Sequence, residues 1–128
     1  LARAVRCEGP GADAEFVFAN FEDFDMCHGH RNDPQGFGKA LEALDRVLGE
    51  AILPNLRSED RVGLTSDHGN DPTTASTDHS REFAPLVCFG HGIERARALG
   101  DRATFADWAA DIARHLGVPW SEPGTAFE

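Results

Sequence analysis

Three short apolar segments alternate along the chain with two amphipathic ones, and this order restricts the class of fold. Strand character is found at residues 15–21, 61–66 and 85–89. Apolar residues recur at helical spacing from Gln35 to about Ile52, and again from Thr104 onward. The order strand, helix, strand, loop, strand, helix is typical of an α/β fold. We therefore predict a mainly parallel sheet flanked by helices.

A sheet of three parallel strands is small, and parallel sheets normally have both faces covered. We therefore expect further strands from a segment outside this chain, which begins at Leu1 rather than at a methionine. Residues 1–14, interrupted by Gly9-Pro10-Gly11, are interpreted as a linker or the end of a preceding element. Residues 15–128 are then predicted to form part of a larger core domain.

The last helix has clear start and stop signals. The Thr104 hydroxyl can cap its first turn, and Gly117 is a typical C-terminal stop. One apolar stripe follows the start, and we predict that it packs in the core. Its members are Phe105, Trp108, Ala109, Ile112 and Leu116.

The acidic composition excludes several classes of function. A formal charge of −10 and a pI near 4.9 oppose binding to nucleic acids or anionic membranes. No apolar run approaches the roughly 20 residues that span a bilayer. Cys7, Cys27 and Cys88 are too few and too widely spaced for a disulfide framework, which favours a reduced, cytoplasmic setting. An acidic chain that handles phosphates would need metal ions to reverse the local field.

Three polar clusters lie in or beside predicted loops. They are Asp25 with His30, Asp67-His68-Gly69, and Asp78-His79. Imidazole and carboxylate ligands suit zinc or manganese, whereas a calcium site would normally be all oxygen. The clusters could serve one metal or two, and each could instead be an ordinary surface loop. No activated nucleophile is evident.

Cys27 and His28 lie close to His30 and could form a competing zinc site. An exposed histidine and a buried thiol are the simpler interpretation. His91 and His115 are assigned no function.

Longer motifs around these clusters resemble those of the phosphopentomutase family in the alkaline phosphatase superfamily. Order, spacing and adjacent residues all match, from Glu15 nearly to the end of the chain. The motifs are Asn20-Phe21-Glu22-Asp23-Phe24-Asp25, Gly29-His30-Arg31, Thr65-Ser66-Asp67-His68-Gly69-Asn70-Asp71-Pro72 and Thr77-Asp78-His79-Ser80-Arg81-Glu82. Asn70 departs from the pattern, because the family frequently has cysteine there.

This resemblance implies an alkaline-phosphatase-like core with two divalent metal ions, usually Mn²⁺. Asp25, His30 and His79 would hold one ion, and Asp67 and His68 the other. The implied reaction interconverts ribose or deoxyribose 1-phosphate and 5-phosphate through a phosphothreonine. The family's N-terminal segment supplies that threonine, a further aspartate and the cap domain, so we expect these 128 residues to be inactive alone.

Two alternatives remain open from the residues. Asp67-His68-Gly69-Asn70 also resembles the cofactor-independent phosphoglycerate mutases of the same superfamily. A chain of this length could also be a truncated, non-catalytic metal-binding domain.

Overall fold

The structure is a computed structural model that describes residues 2–6 and 15–127. Its strands are β1 (Ala2–Arg6), β2 (Glu15–Ala19), β3 (Arg61–Thr65) and β4 (Leu86–Gly90), and its α-helices are α1 (Pro34–Val47) and α2 (Ala106–His115). Short helical turns occupy Phe24–His28, Gly29–Arg31, Leu48–Ile52 and Leu53–Asn55. Part of the predicted linker, residues 7–14, lies outside the described residues. No helix in the described ranges is long and apolar enough to cross a membrane.

The chain forms two compact units. One comprises Leu1–Asn20 and Arg95–Glu128, and the other comprises Phe21–Glu94. All five predicted metal ligands belong to the second unit.

The strands pair differently from the prediction of a parallel sheet, which is wrong for both described pairs. β1 pairs with β2 and β3 with β4, each time antiparallel, with Arg61 opposite Gly90 and Thr65 opposite Leu86. A parallel pair needs a long crossover, usually a helix, whereas residues 66–85 contain none and fold back through a bridge between Gly69 and Ser80. The polar loop of residues 66–85 therefore connects the end of β3 to the start of β4 at the same edge of the strand pair.

Helix α1 confirms the amphipathic helix predicted from Gln35. Pro34 occupies its first turn, and the Asp33 carboxylate accepts a hydrogen bond from the Gly36 N–H at 2.9 Å. The other carboxylate oxygen of Asp33 lies 3.1 Å from His28 Nδ1. These two contacts, chiefly the Gly36 N–H, lower the pKa of Asp33.

We expect Asp33→Ala to lower the melting temperature at neutral pH, because the first turn of α1 loses its cap. The pKa of Asp33 is lower in the folded state than in the unfolded state. Its contribution to the stability of the fold is therefore fully present above the unfolded-state pKa and is lost as pH falls through the folded-state pKa. Thermal unfolding of both proteins across acidic pH should show their melting temperatures converging. A difference that stays constant down to acid pH would contradict this assignment.

Helix α2 buries a different face from the apolar stripe predicted for the core. Phe105 is 58% exposed and the rest of the stripe is half-buried, whereas the buried residues are Asp107, Ala110, Asp111 and Ala113. Asp107 and Asp111 are buried on this face because their carboxylates have hydrogen-bond partners there. Asp107 and Asp111 accept the backbone N–H groups of Thr125 and Phe127 at 2.9 and 3.1 Å, so the end of the chain covers this face.

Both ends of α2 follow the predicted signals. The Thr104 hydroxyl accepts a hydrogen bond from the Ala106 N–H at 3.2 Å, although Phe105 occupies the N-cap position and the helix begins at Ala106, one residue later than a Thr104 cap predicts. Gly117 follows the helix with φ of 67°, a left-handed conformation that favours glycine.

Candidate metal centre

Short backbone segments carry the predicted ligands. Asp25 lies in the turn Phe24–His28, and His30 lies in the next turn, Gly29–Arg31. Asp67 and His68 follow β3, and His79 precedes the Gly69–Ser80 bridge that closes the same loop. The bridge therefore holds the two ends of this loop together, and with them His68 and His79.

The carboxylate of Asp25 lies between two imidazole rings. Its Oδ2 is 3.1 Å from His30 Nε2, and its Oδ1 is 3.6 Å from His79 Nε2. About a quarter of the Asp25 side chain is exposed. Two residues that are far apart in sequence, Asp25 and His79, thus meet in one cluster.

The three rings of the cluster are packed together. His68 and His79 are stacked with ring centroids 3.5 Å apart, and the His30 and His79 centroids are 5.0 Å apart. Asp25, His68 and His79 offer one ligand atom each, all within 4.8 Å of one another. This spacing suits three ligands of one ion.

Asp67 sits at the edge of this cluster. Its Oδ1 is 3.4 Å from His68 Nε2, but its side chain is 89% exposed. The predicted division grouped His79 with Asp25 and His30, and His68 with Asp67. In the structure, the group whose ligand atoms lie within 4.8 Å of one another is Asp25, His68 and His79. The division of the ligands between two ions therefore stays a prediction.

The hydrogen bonds of the rings test whether these residues fit a metal ion. His30 Nδ1 contacts the Thr77 carbonyl oxygen, and His68 Nδ1 lies 3.2 Å from the Gly69 carbonyl oxygen. A carbonyl oxygen only accepts, so the Nδ1 atom of each ring is the donor in these contacts, and Nε2 is the ring nitrogen left to face a ligand. His30 Nε2 faces the Asp25 carboxylate at 3.1 Å, and a carbonyl oxygen at Nδ1 is the usual partner of a metal-binding histidine. The donor set of imidazole nitrogens and one carboxylate therefore fits a metal ion.

The competing zinc site at Cys27 and His28 does not form in this arrangement. The His28 ring contacts Asp33, and the exposed Cys27 thiol donates to Asp23 Oδ1 at 3.9 Å. Neither residue joins the cluster around Asp25. Cys27 was expected to be buried, and that prediction is wrong.

Sequence reasoning missed the role of Asn70. Its side-chain amide donates to Asp25 Oδ1 at 2.8 Å, across 45 residues of sequence. Asn70 was noted as a departure from the phosphopentomutase pattern and as part of the motif shared with phosphoglycerate mutases, but it was given no role in the site. An amide directly after Asp67-His68-Gly69 is the signal that could have been followed.

The chain belongs to the Metalloenzyme superfamily, whose family profile matches residues 4–120. Its similar relatives include phosphopentomutases. Those of Rhizobium etli and Anaeromyxobacter sp. (strain K) are 50% and 53% identical over 115 residues, and that of Kosmotoga olearia is 47% identical over 116 residues. The matches cover 90–91% of this chain but only 28–30% of each relative. The resemblance inferred from the motifs is confirmed, and the chain spans less than a third of the length of these relatives.

Proposed function

We propose that residues 15–128 form the C-terminal part of the alkaline-phosphatase-like core of a phosphopentomutase. The proposed reaction interconverts ribose or deoxyribose 1-phosphate and 5-phosphate through a phosphothreonine on another segment of the protein. The observation that carries this proposal is the cluster in which the Asp25 carboxylate contacts His30 and His79, next to His68. Identity of about one half to phosphopentomutases over 90% of the chain supports it.

In this proposal the cluster holds two Mn²⁺ ions. Asp25, His30 and His79 would bind one, and Asp67 and His68 the other. When bound, the ions would offset the negative charge of the phosphoryl group during transfer. The exposed Asp67 carboxylate is accessible to an ion that is also held by residues of another segment, which supports its place in the second site.

The chain's own residues have the task of binding and orientation. Thr77 and Gly69 would hold the His30 and His68 rings with Nε2 directed to the ion, since their carbonyl oxygens occupy Nδ1. The formal charge of −10 would repel a sugar phosphate without bound cations. We therefore expect substrate binding to depend on metal. We also propose that the reaction takes place in the cytoplasm, the setting favoured by the widely spaced cysteines.

The test is conversion of ribose 1-phosphate to ribose 5-phosphate by the full-length protein, with Mn²⁺ and again after chelation. We expect conversion that chelator removes and added Mn²⁺ restores. A folded, Mn²⁺-loaded, phosphorylated protein that interconverts 2- and 3-phosphoglycerate instead would replace the proposal with a phosphoglycerate mutase. Metal binding without either activity would favour a non-catalytic domain.

A further inference from the structure

Asn70 contacts the central carboxylate of the metal cluster from the side away from His30. Its amide donates to Asp25 Oδ1, whereas His30 Nε2 faces Oδ2. The distance of 2.8 Å lies in the normal range for an N–H···O hydrogen bond. The contact therefore fixes the rotation of the carboxylate and leaves Oδ2 directed to the histidine.

Gly29 makes room for this amide. It is buried, and a Cβ added there would fall far inside van der Waals contact of the Asn70 amide, whose atoms are its three nearest neighbours. The backbone at Gly29 has φ of −60° and ψ of −65°, which any residue adopts. Glycine at this position is therefore explained by the space that Asn70 occupies rather than by backbone conformation.

We propose that Gly29 and Asn70 act together as a positioning pair that orients Asp25 for metal binding. This inference rests on the proposed metal centre and assigns it two residues that are not ligands. Asn70 supplies the hydrogen bond, and the absence of a side chain at Gly29 lets the amide reach Asp25. A methyl group at residue 29 would displace the end of a flexible side chain, so the fold should tolerate it while Asp25 loses its partner.

The test measures Mn²⁺ affinity of the full-length protein by calorimetric titration. Loss of a group that orients a ligand typically costs about 10–100-fold in metal affinity, and we expect this for Asn70→Ala. Gly29→Ala should weaken affinity over the same range. The double variant should bind no more weakly than Asn70→Ala, because both changes break the same hydrogen bond.

Matched controls separate this effect from general damage. Asn55→Ala removes an exposed amide that donates to Ala51, and Gly49→Ala adds a methyl group with no atom within 4 Å. Both should keep wild-type affinity. Serine has a shorter side chain than asparagine, so we expect Asn70→Ser to lose the contact with Asp25 and to show the same loss of Mn²⁺ affinity as Asn70→Ala. It serves as the test variant if Asn70→Ala is unstable.

Each outcome of the titration decides a separate point. Wild-type affinity in Asn70→Ala and Asn70→Ser would overturn the role of Asn70 while the metal centre stands. Additive losses in the double variant would overturn the pairing with Gly29. A folded wild-type protein that binds no Mn²⁺ would overturn both the proposed centre and this inference.

Discussion

Replacing Asp25 with asparagine should lower the affinity of the full-length protein for Mn²⁺ by at least about 100-fold, more than loss of a merely orienting neighbour. Asp25 is the carboxylate of the group it forms with His68 and His79, and it also faces His30. The substitution keeps the size of the side chain but makes an anionic ligand neutral. Calorimetric titration with Mn²⁺ measures the effect, and conversion of ribose 1-phosphate should fall with it.

Asp78→Asn is the matched control for this variant. Asp78 is an exposed carboxylate directly before His79, and it lies outside the group around Asp25. Its replacement removes the same charge from the same loop. Equal losses of affinity in the two variants would mean that Mn²⁺ responds only to net charge, and the assignment of Asp25 as a ligand would fail.

Gly69→Ala should have the second large effect, on stability and on metal binding together. An added Cβ would lie 2.7 Å from the Ser80 carbonyl oxygen and closer still to that of Glu82. Both are backbone atoms, so the Ser80 N–H to Gly69 hydrogen bond of 3.0 Å must be strained or broken. We expect the free energy of unfolding to fall by about 1–3 kcal/mol, the usual cost of overpacking. His68 and His79 would also separate, which should weaken Mn²⁺ binding.

Chemical denaturation measures this loss, with Gly38→Ala as the control. Gly38 lies in α1, and a Cβ there meets nothing within 4 Å. Alanine is favoured over glycine in a helix interior by about 0.8–1.0 kcal/mol, so this variant should be more stable than wild type. Equal stability of Gly69→Ala and wild type would show that the loop does not depend on the bridge.

Local sequence patterns predicted both α-helices and three of the four described strands, all but β1, but not how the strands pair. The spacing of apolar residues predicted α1, and short apolar runs predicted β2, β3 and β4 to within a few residues. The pairing direction depends on the path of residues 66–85, which turn back at Gly69 and Ser80 instead of crossing over. Apolar periodicity carries no information about that path.

Hydrophobicity also failed to identify the buried face of α2. Asp107 and Asp111 are among the least exposed described residues because they accept backbone N–H groups from Thr125 and Phe127. Arg102 Nε also donates to Asp107 at 2.8 Å. A hydropathy pattern assigns such carboxylates to solvent, since the partners that offset their burial lie 16 and 18 residues away.

The candidate site was easier to predict from the sequence, because carboxylate and imidazole side chains are recognisable as metal ligands by residue type alone. Acidic and imidazole side chains next to one another predicted metal binding, and the structure brings Asp25, His30, His68 and His79 into contact. The amide of Asn70 was missed since asparagine in a loop is ordinary, and its contact with Asp25 exists only in three dimensions. The two ions and their division among the ligands remain predictions from the resemblance.

Anomalous diffraction at the manganese edge, from crystals of the full-length protein grown with Mn²⁺, would show whether the clustered carboxylates and imidazoles bind metal. We expect two peaks within coordination distance of the cluster, one held by Asp25, His30 and His79 and the other by Asp67 and His68. A single peak at the cluster would correct the division between ions. A fully loaded protein with no peak among these five residues would contradict the metal centre.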